Sequence, residues 1–147
     1  MKKFVFTLEK VRDLKLDEQK VIKLALENVD KRIRQVSVAL ENLEADIQRE
    51  RDNYGEVCKT GTNAATLSSF SIYFKNSREK KAALNEQLRL LNIQRSKRVE
   101  QLVKNLNEVK VLDEKYDAQL KEYQAQARSE QEKEVENFVS FNSASGK

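Results

Sequence analysis

Between Ile22 and Ile47 the apolar residues recur in alternating steps of four and three: Ile22, Leu26, Val29, Ile33, Val36, Leu40, Leu43 and Ile47. An α-helix turns once per 3.6 residues, so a helix on an ordinary compact domain drifts off such a stripe within a few turns. A 3.5-residue repeat instead keeps one narrow face against one partner, which is the requirement of a coiled coil. With Leu26 at position a, Ile33, Leu40 and Ile47 also fall at a, and Val29, Val36 and Leu43 fill d. After a polar step at Glu50 the series resumes at Tyr54 and Val57.

A sheet sandwich or an α/β domain needs many reversals, and this sequence is poor in the residues that make them. Its 147 residues include no proline and only Gly55, Gly61 and Gly146. The one turn-forming cluster lies between Asn53 and Ser69, and residues 61–74 carry no charge. The expected fold is therefore all-α, a long antiparallel two-helix coiled-coil hairpin forming one domain over residues 1–147. Helix one is predicted over about 7–55, the turn over about 55–66, helix two over about 67–138 and a disordered tail over about 140–147. Thr7 reads as the N-cap of helix one, with Glu9 in its first turn and Phe6 stapled onto Val11; Thr60 or Thr66 reads as the cap of helix two. Leu14, Leu16 and Val21 fit no single register with the rest, which predicts a shift near Asp17 and Glu18.

In helix two, Leu84 and Leu91 read as d positions around Leu88 at a. Past Arg95 the register reads as Val99, Leu106, Leu120 and Ala127 at a, with Leu102, Val109, Tyr116 and Tyr123 at d. The interval from Leu88 to Val99 predicts a stutter that unwinds the supercoil locally. Asp113 and Glu130 then fall on the seam, so burial is expected to weaken toward the C-terminus. Helices of roughly 50 and roughly 70 residues also differ in length by tens of ångströms at about 1.5 Å per residue. Val135, Phe138, Val139 and Phe141 are thereby left without a partner.

Chemistry finds little to work with. There is no histidine, and Cys58 is the sole cysteine. That excludes a Cys-His dyad, an intrachain disulfide and zinc-ligand spacing. Gly61-Thr62 lacks the frame of a phosphate-binding loop, and Glu134 and Glu136 read as a solvated helix face. No enzyme activity, cofactor or metal is expected, and no apolar run approaches the roughly 18–20 residues of a membrane span. Charges interrupt the apolar start at Glu9, Lys10, Arg12 and Asp13, which argues against a secretory signal.

Net charge is a small difference between 28 basic and 24 acidic residues, but its distribution is uneven. Residues 75–104 hold nine Lys or Arg against three Glu, and residues 105–147 hold six against nine acids. The basic stretch Arg89, Arg95, Lys97, Arg98 and Lys104 reads as a solvated face, a contact for an acidic protein or, least favoured, a nucleic-acid track. Glu79, Glu86 and Glu100 interleave with it, and the aromatic residues lie elsewhere. No nucleic acid is expected. At the start of helix two, Phe70, Tyr73 and Phe74 share one side and leave Ile72 off it. They plug the end of the hairpin or form a protein-contact patch.

Three stretches resemble the flagellar type III export protein FliJ family, the stalk component of the bacterial flagellar export ATPase. Phe4-Val5-Phe6-Thr7-Leu8-Glu9-Lys10-Val11 is similar to the family's aromatic-x-aromatic-x-Leu-Glu-Lys opening, and Phe70 and Tyr73 match its Tyr-x-x-Tyr/Phe segment. Lys133-Glu134-Val135-Glu136-Asn137 sits where members often have Lys-x-Leu-Asp-Glu, and Ser77 replaces a commonly apolar residue. The resemblance implies a non-enzymatic hairpin that binds and promotes the export ATPase hexamer and contacts the cytoplasmic domain of the export gate and late-substrate export chaperones. It places Phe70, Tyr73 and Phe74 toward the gate. Phe4, Phe6, Leu8, Val11, Lys133, Val135, Glu136 and Phe138 go to the ATPase ring. The implied location is the cytoplasm, with peripheral association at the inner membrane and no direct insertion. Outside the family, the alternative is a cytoplasmic coiled-coil scaffold or chaperone.

Overall fold

A computed structural model describes residues 2–146. It holds two α-helices, α1 (Glu9–Thr60, 52 residues) and α2 (Ala64–Gly146, 83 residues), with no strand among the described residues. They form the expected all-α, antiparallel two-helix hairpin. Contacts divide the chain into unit 1, Met1–Val21 with Leu102–Lys147, and unit 2, Ile22–Gln101. Side chains meet in antiparallel order within each. In unit 2, Tyr54 meets Phe70, Glu44 meets Lys81 and Asp30 meets Arg95; in unit 1, Lys15 meets Glu108, Arg12 meets Asp113 and Thr7 meets Gln119.

The turn is shorter than predicted and lies within Gly61–Asn63. Gly61 has φ +91°, a left-handed conformation that ends α1 without the Cβ clash another residue would suffer. Asn63 caps α2: its Oδ1 accepts from the Thr66 N–H at 2.9 Å. Thr60 is not a cap, because its hydroxyl folds back onto the carbonyls of Glu56 and Val57, and Thr66 lies inside α2. Gly55, expected at the end of helix one, is within α1 despite its helix cost of about 1 kcal/mol. At the other end α2 continues through Gly146, so residues 140–146 are helical and not the expected disordered tail; Lys147 lies outside the described residues.

Unit 2 contains the aliphatic seam. Ile22 and Leu40 are buried, and Leu26, Val29, Ile33, Val36, Leu43 and Ile47 are half-buried. Half-burial is what a two-helix seam provides, since each side chain is covered from one side only. Facing them on α2 are Phe70, Phe74, Ser77, Lys81, Leu84, Leu88 and Leu91, again in steps of four and three, with Ser77 buried. Arg95 takes the next position and pairs with Asp30 at 2.8 Å. Beyond Arg95, Arg98 is exposed and the next half-buried position is eleven residues past Leu88, at the spacing expected of the stutter. Val99 is half-buried.

In unit 1 the seam is polar and aromatic. Leu8, Arg12, Lys15 and Gln19 are half-buried at heptad spacing, while Leu14 and Val21 are exposed. The expected register shift near Asp17 and Glu18 is absent, because polar residues carry the repeat that apolar residues were expected to carry. On α2 the seam is Leu102, Asn105, Val109, Leu112, Tyr116, Gln119 and Tyr123. Leu106, predicted at position a, is 44% exposed, while Asn105 beside it is 2% exposed. Asp113 was likewise expected on the seam; Leu112 is the buried residue, and Asp113 reaches Arg12 from its flank. Leu120 and Ala127 are half-buried, and every described residue from Arg128 onward is exposed.

Candidate interaction surfaces

Residues 2–7 lie along α2 in unit 1, without helical structure through Phe6. Phe4 packs against Tyr116 and Tyr123 with ring centroids 5.5 and 5.4 Å apart, and Phe6 meets Tyr116 edge-on at 5.3 Å. Tyr123 donates its hydroxyl to the Lys2 carbonyl at 2.7 Å. Thr7 does not cap α1: its hydroxyl accepts from Gln119 Nε2 at 3.0 Å, and the Glu9 N–H donates instead to the Phe6 carbonyl. Phe6 is 5% exposed and Val11 is exposed, so the expected staple gives way to packing on Tyr116. Of the residues assigned to the ATPase ring, Phe6 is buried against α2 of its own chain, whereas Phe4 and Leu8 are half-buried. Val11, Lys133, Val135, Glu136 and Phe138 are exposed.

Next to this strap the unit 1 contacts are ionic. Lys15 Nζ pairs with Glu108 and, at 3.3 Å, with Glu18. Hydrogen bonding to Glu108 holds the Lys15 ammonium above its ordinary pKa, and the same bond holds the Glu108 carboxyl below its own. Arg12 approaches Asp113 at 2.9 Å and lies over the Tyr116 ring at 5.6 Å. Asn105 Oδ1 is buried without a hydrogen-bond partner.

The turn end of unit 2 carries the second surface. Phe70 and Phe74 stack at 6.3 Å, Tyr54 meets both edge-on, and Tyr73 meets Phe74 at 5.6 Å. Phe70, Tyr73 and Phe74 are half-buried and Ile72 is exposed. Beside the rings lies an open groove of about 830 Å³ floored by Ile47, Tyr54, Leu67, Phe70 and Phe74 and rimmed by Arg51, Arg78 and Lys81. Such a volume falls in the ~300–1,000 Å³ range of ligand pockets. Lys81 pairs with Glu44 at 3.4 Å, whereas Arg51 and Arg78 make no ion pair among the described residues. Sequence spacing indicated the ring cluster but not this cationic rim, because Arg51 and Arg78 are distant in sequence and meet only across the hairpin.

The basic stretch is partly neutralised within the chain. Arg95 pairs with Asp30, Arg89 holds Glu86 in a bidentate contact that lowers the carboxyl's pKa, and Arg98 donates to Gln101. Cys58 is an exposed free thiol, and its closeness to Tyr54, one helical turn away, pushes the phenol's pKa up. No group of three metal-ligating side chains occurs among the described residues, and no described helix is long and apolar enough to cross a membrane.

Compared with protein-family models, curated proteins and solved structures, the chain has no match.

Proposed function

We propose that this chain is a non-enzymatic, stalk-like coiled coil of the bacterial flagellar type III export apparatus, which binds and promotes the hexameric export ATPase and contacts the export gate and late-substrate chaperones. The observation that supports this reading most is the half-exposed Phe70, Tyr73 and Phe74 cluster, which couples the residues of the sequence resemblance to a surface able to receive a protein. The exposed C-terminal stretch around Val135 and Phe138 supplies a second contact. With Phe6 buried in internal packing, the proposed ATPase contact rests on the half-buried Phe4 and Leu8 and on the exposed Val11, Lys133, Val135, Glu136 and Phe138. The chain hydrolyses nothing itself; it works by binding.

The test is ATP hydrolysis by the matching export ATPase with and without this chain. Stimulation by the intact protein that is lost on deleting residues 130–147 is expected; no stimulation by the intact protein overturns the reading. Replacing Phe70 and Tyr73 by Ala should weaken gate binding while leaving helicity nearly unchanged. A second reading, a general scaffold or chaperone, draws on the exposed Val135, Phe138, Val139 and Phe141. It predicts suppression of client aggregation with no effect on the ATPase.

A further inference from the structure

Val135, Phe138 and Val139 form an apolar stripe at helical spacing on the C-terminal part of α2, and all three are exposed. The stripe is not the seam extended. From Tyr123, steps of three and four reach Gln126, Glu130, Lys133 and Asn137, which are all polar. Within unit 1, α1 therefore meets a different face of α2 and leaves this one uncovered. Carboxylates border it, Glu132 and Glu136 to one side and Glu134 to the other, while Arg128 lies one heptad before Val135 on the same face and Lys133 on the opposite one, so the acids outnumber the bases by four to two over residues 128–146. This segment is an acidic amphipathic helix with an unused apolar face.

The elbow groove is its chemical complement. Its floor is aromatic and aliphatic, and its rim carries the guanidiniums of Arg51 from α1 and Arg78 from α2, both without an ion pair. An apolar stripe between carboxylates matches an apolar floor between arginines, with charge fixing orientation and hydrophobic contact supplying affinity. We propose that residues 128–146 of one copy dock in the elbow groove of a second copy. The two surfaces differ, so the contact is heterologous, and a docked pair still presents one free groove on one copy and one free stripe on the other. Association continues into open head-to-tail chains unless a partner takes one of the surfaces. These are the surfaces assigned to partners above, so self-association and partner binding compete. The contact itself does not depend on what those partners are.

Sedimentation equilibrium of the purified chain, over a wide concentration range at low and high salt, tests this. The mass should climb with concentration without levelling at a dimer, and the climb should weaken at high salt. A tail variant (Val135→Ser with Phe138→Ser) and a groove variant (Arg51→Glu with Arg78→Glu) should each self-associate on the order of tenfold more weakly. Mixed, they should form a one-to-one heterodimer that grows no further, because only one intact stripe and one intact groove can meet. Helicity checked by circular dichroism should match the parent, since the altered side chains are exposed. A single-chain mass at every concentration, a mixture that fails to associate, or a groove variant that still self-associates like the parent overturns the proposal. Export-ATPase stimulation surviving any of these results would leave the proposed function standing and remove this inference alone.

Discussion

Asn105 Nδ2 donates to the main-chain carbonyl of Lys15 at 2.9 Å, holding the most buried side chain of unit 1 against the first turns of α1. The Asn105 Oδ1 has no partner, and a buried acceptor left unpaired costs about 1–3 kcal/mol. A seam asparagine that is only half satisfied sets register at the expense of stability. Asn105→Leu should therefore raise the unfolding free energy by about 1–2 kcal/mol in a urea titration followed by circular dichroism. A loss of stability would show that the Lys15 bond outweighs the orphaned oxygen.

Two leucines that follow this position separate the observed register from the predicted one. Leu112 is 8% exposed and Leu106 is 44% exposed. Leu112→Ala should cost about 2–4 kcal/mol, and Leu106→Ala less than about 1 kcal/mol. Equal costs in denaturant titrations would place Leu106 back on the seam.

Glu108 and Lys15 give unit 1 a pH dependence at both extremes. The Glu108 carboxyl titrates below its ordinary 4.5 when folded, so its contribution is complete above that value and is lost as pH falls through the lowered pKa. The Lys15 ammonium titrates above its ordinary 10.5, so its contribution is complete below that value and is lost as pH rises through the raised pKa. Both side chains are about one-third exposed, which keeps each contribution small. Glu108→Gln should flatten both limbs in thermal melts across pH, with little change in helicity at neutral pH.

The two glycines of the elbow should respond in opposite directions. Gly61→Ala forces a Cβ into a left-handed conformation at φ +91° and should cost about 1 kcal/mol. Gly55→Ala places a methyl group in open space within α1 and should stabilise by about 0.5–1 kcal/mol. Thermal unfolding of the two variants side by side checks this, and a stabilising Gly61→Ala would contradict the cap.

The alternation from Ile22 to Ile47 fixed helix one as half of a coiled coil, and the lack of proline with one turn cluster fixed the hairpin. Both are local or periodic properties, and periodicity survives in a linear string. The seam of unit 1 was not legible in the same way. Arg12, Lys15, Gln19, Asn105 and Gln119 hold seam positions that an apolar pattern cannot mark; Arg12, Lys15 and Asn105 find partners on the opposite helix, and Gln119 finds one on the strap. The strap of Phe4 and Phe6 against Tyr116, and the convergence of Arg51 and Arg78 on one groove, depend likewise on which residues the reversal at Gly61 brings face to face. Sequence set the repeat and the turn; the tertiary structure decided which polar groups share the seam and which surfaces stay open, because those outcomes rest on pairs more than twenty residues apart.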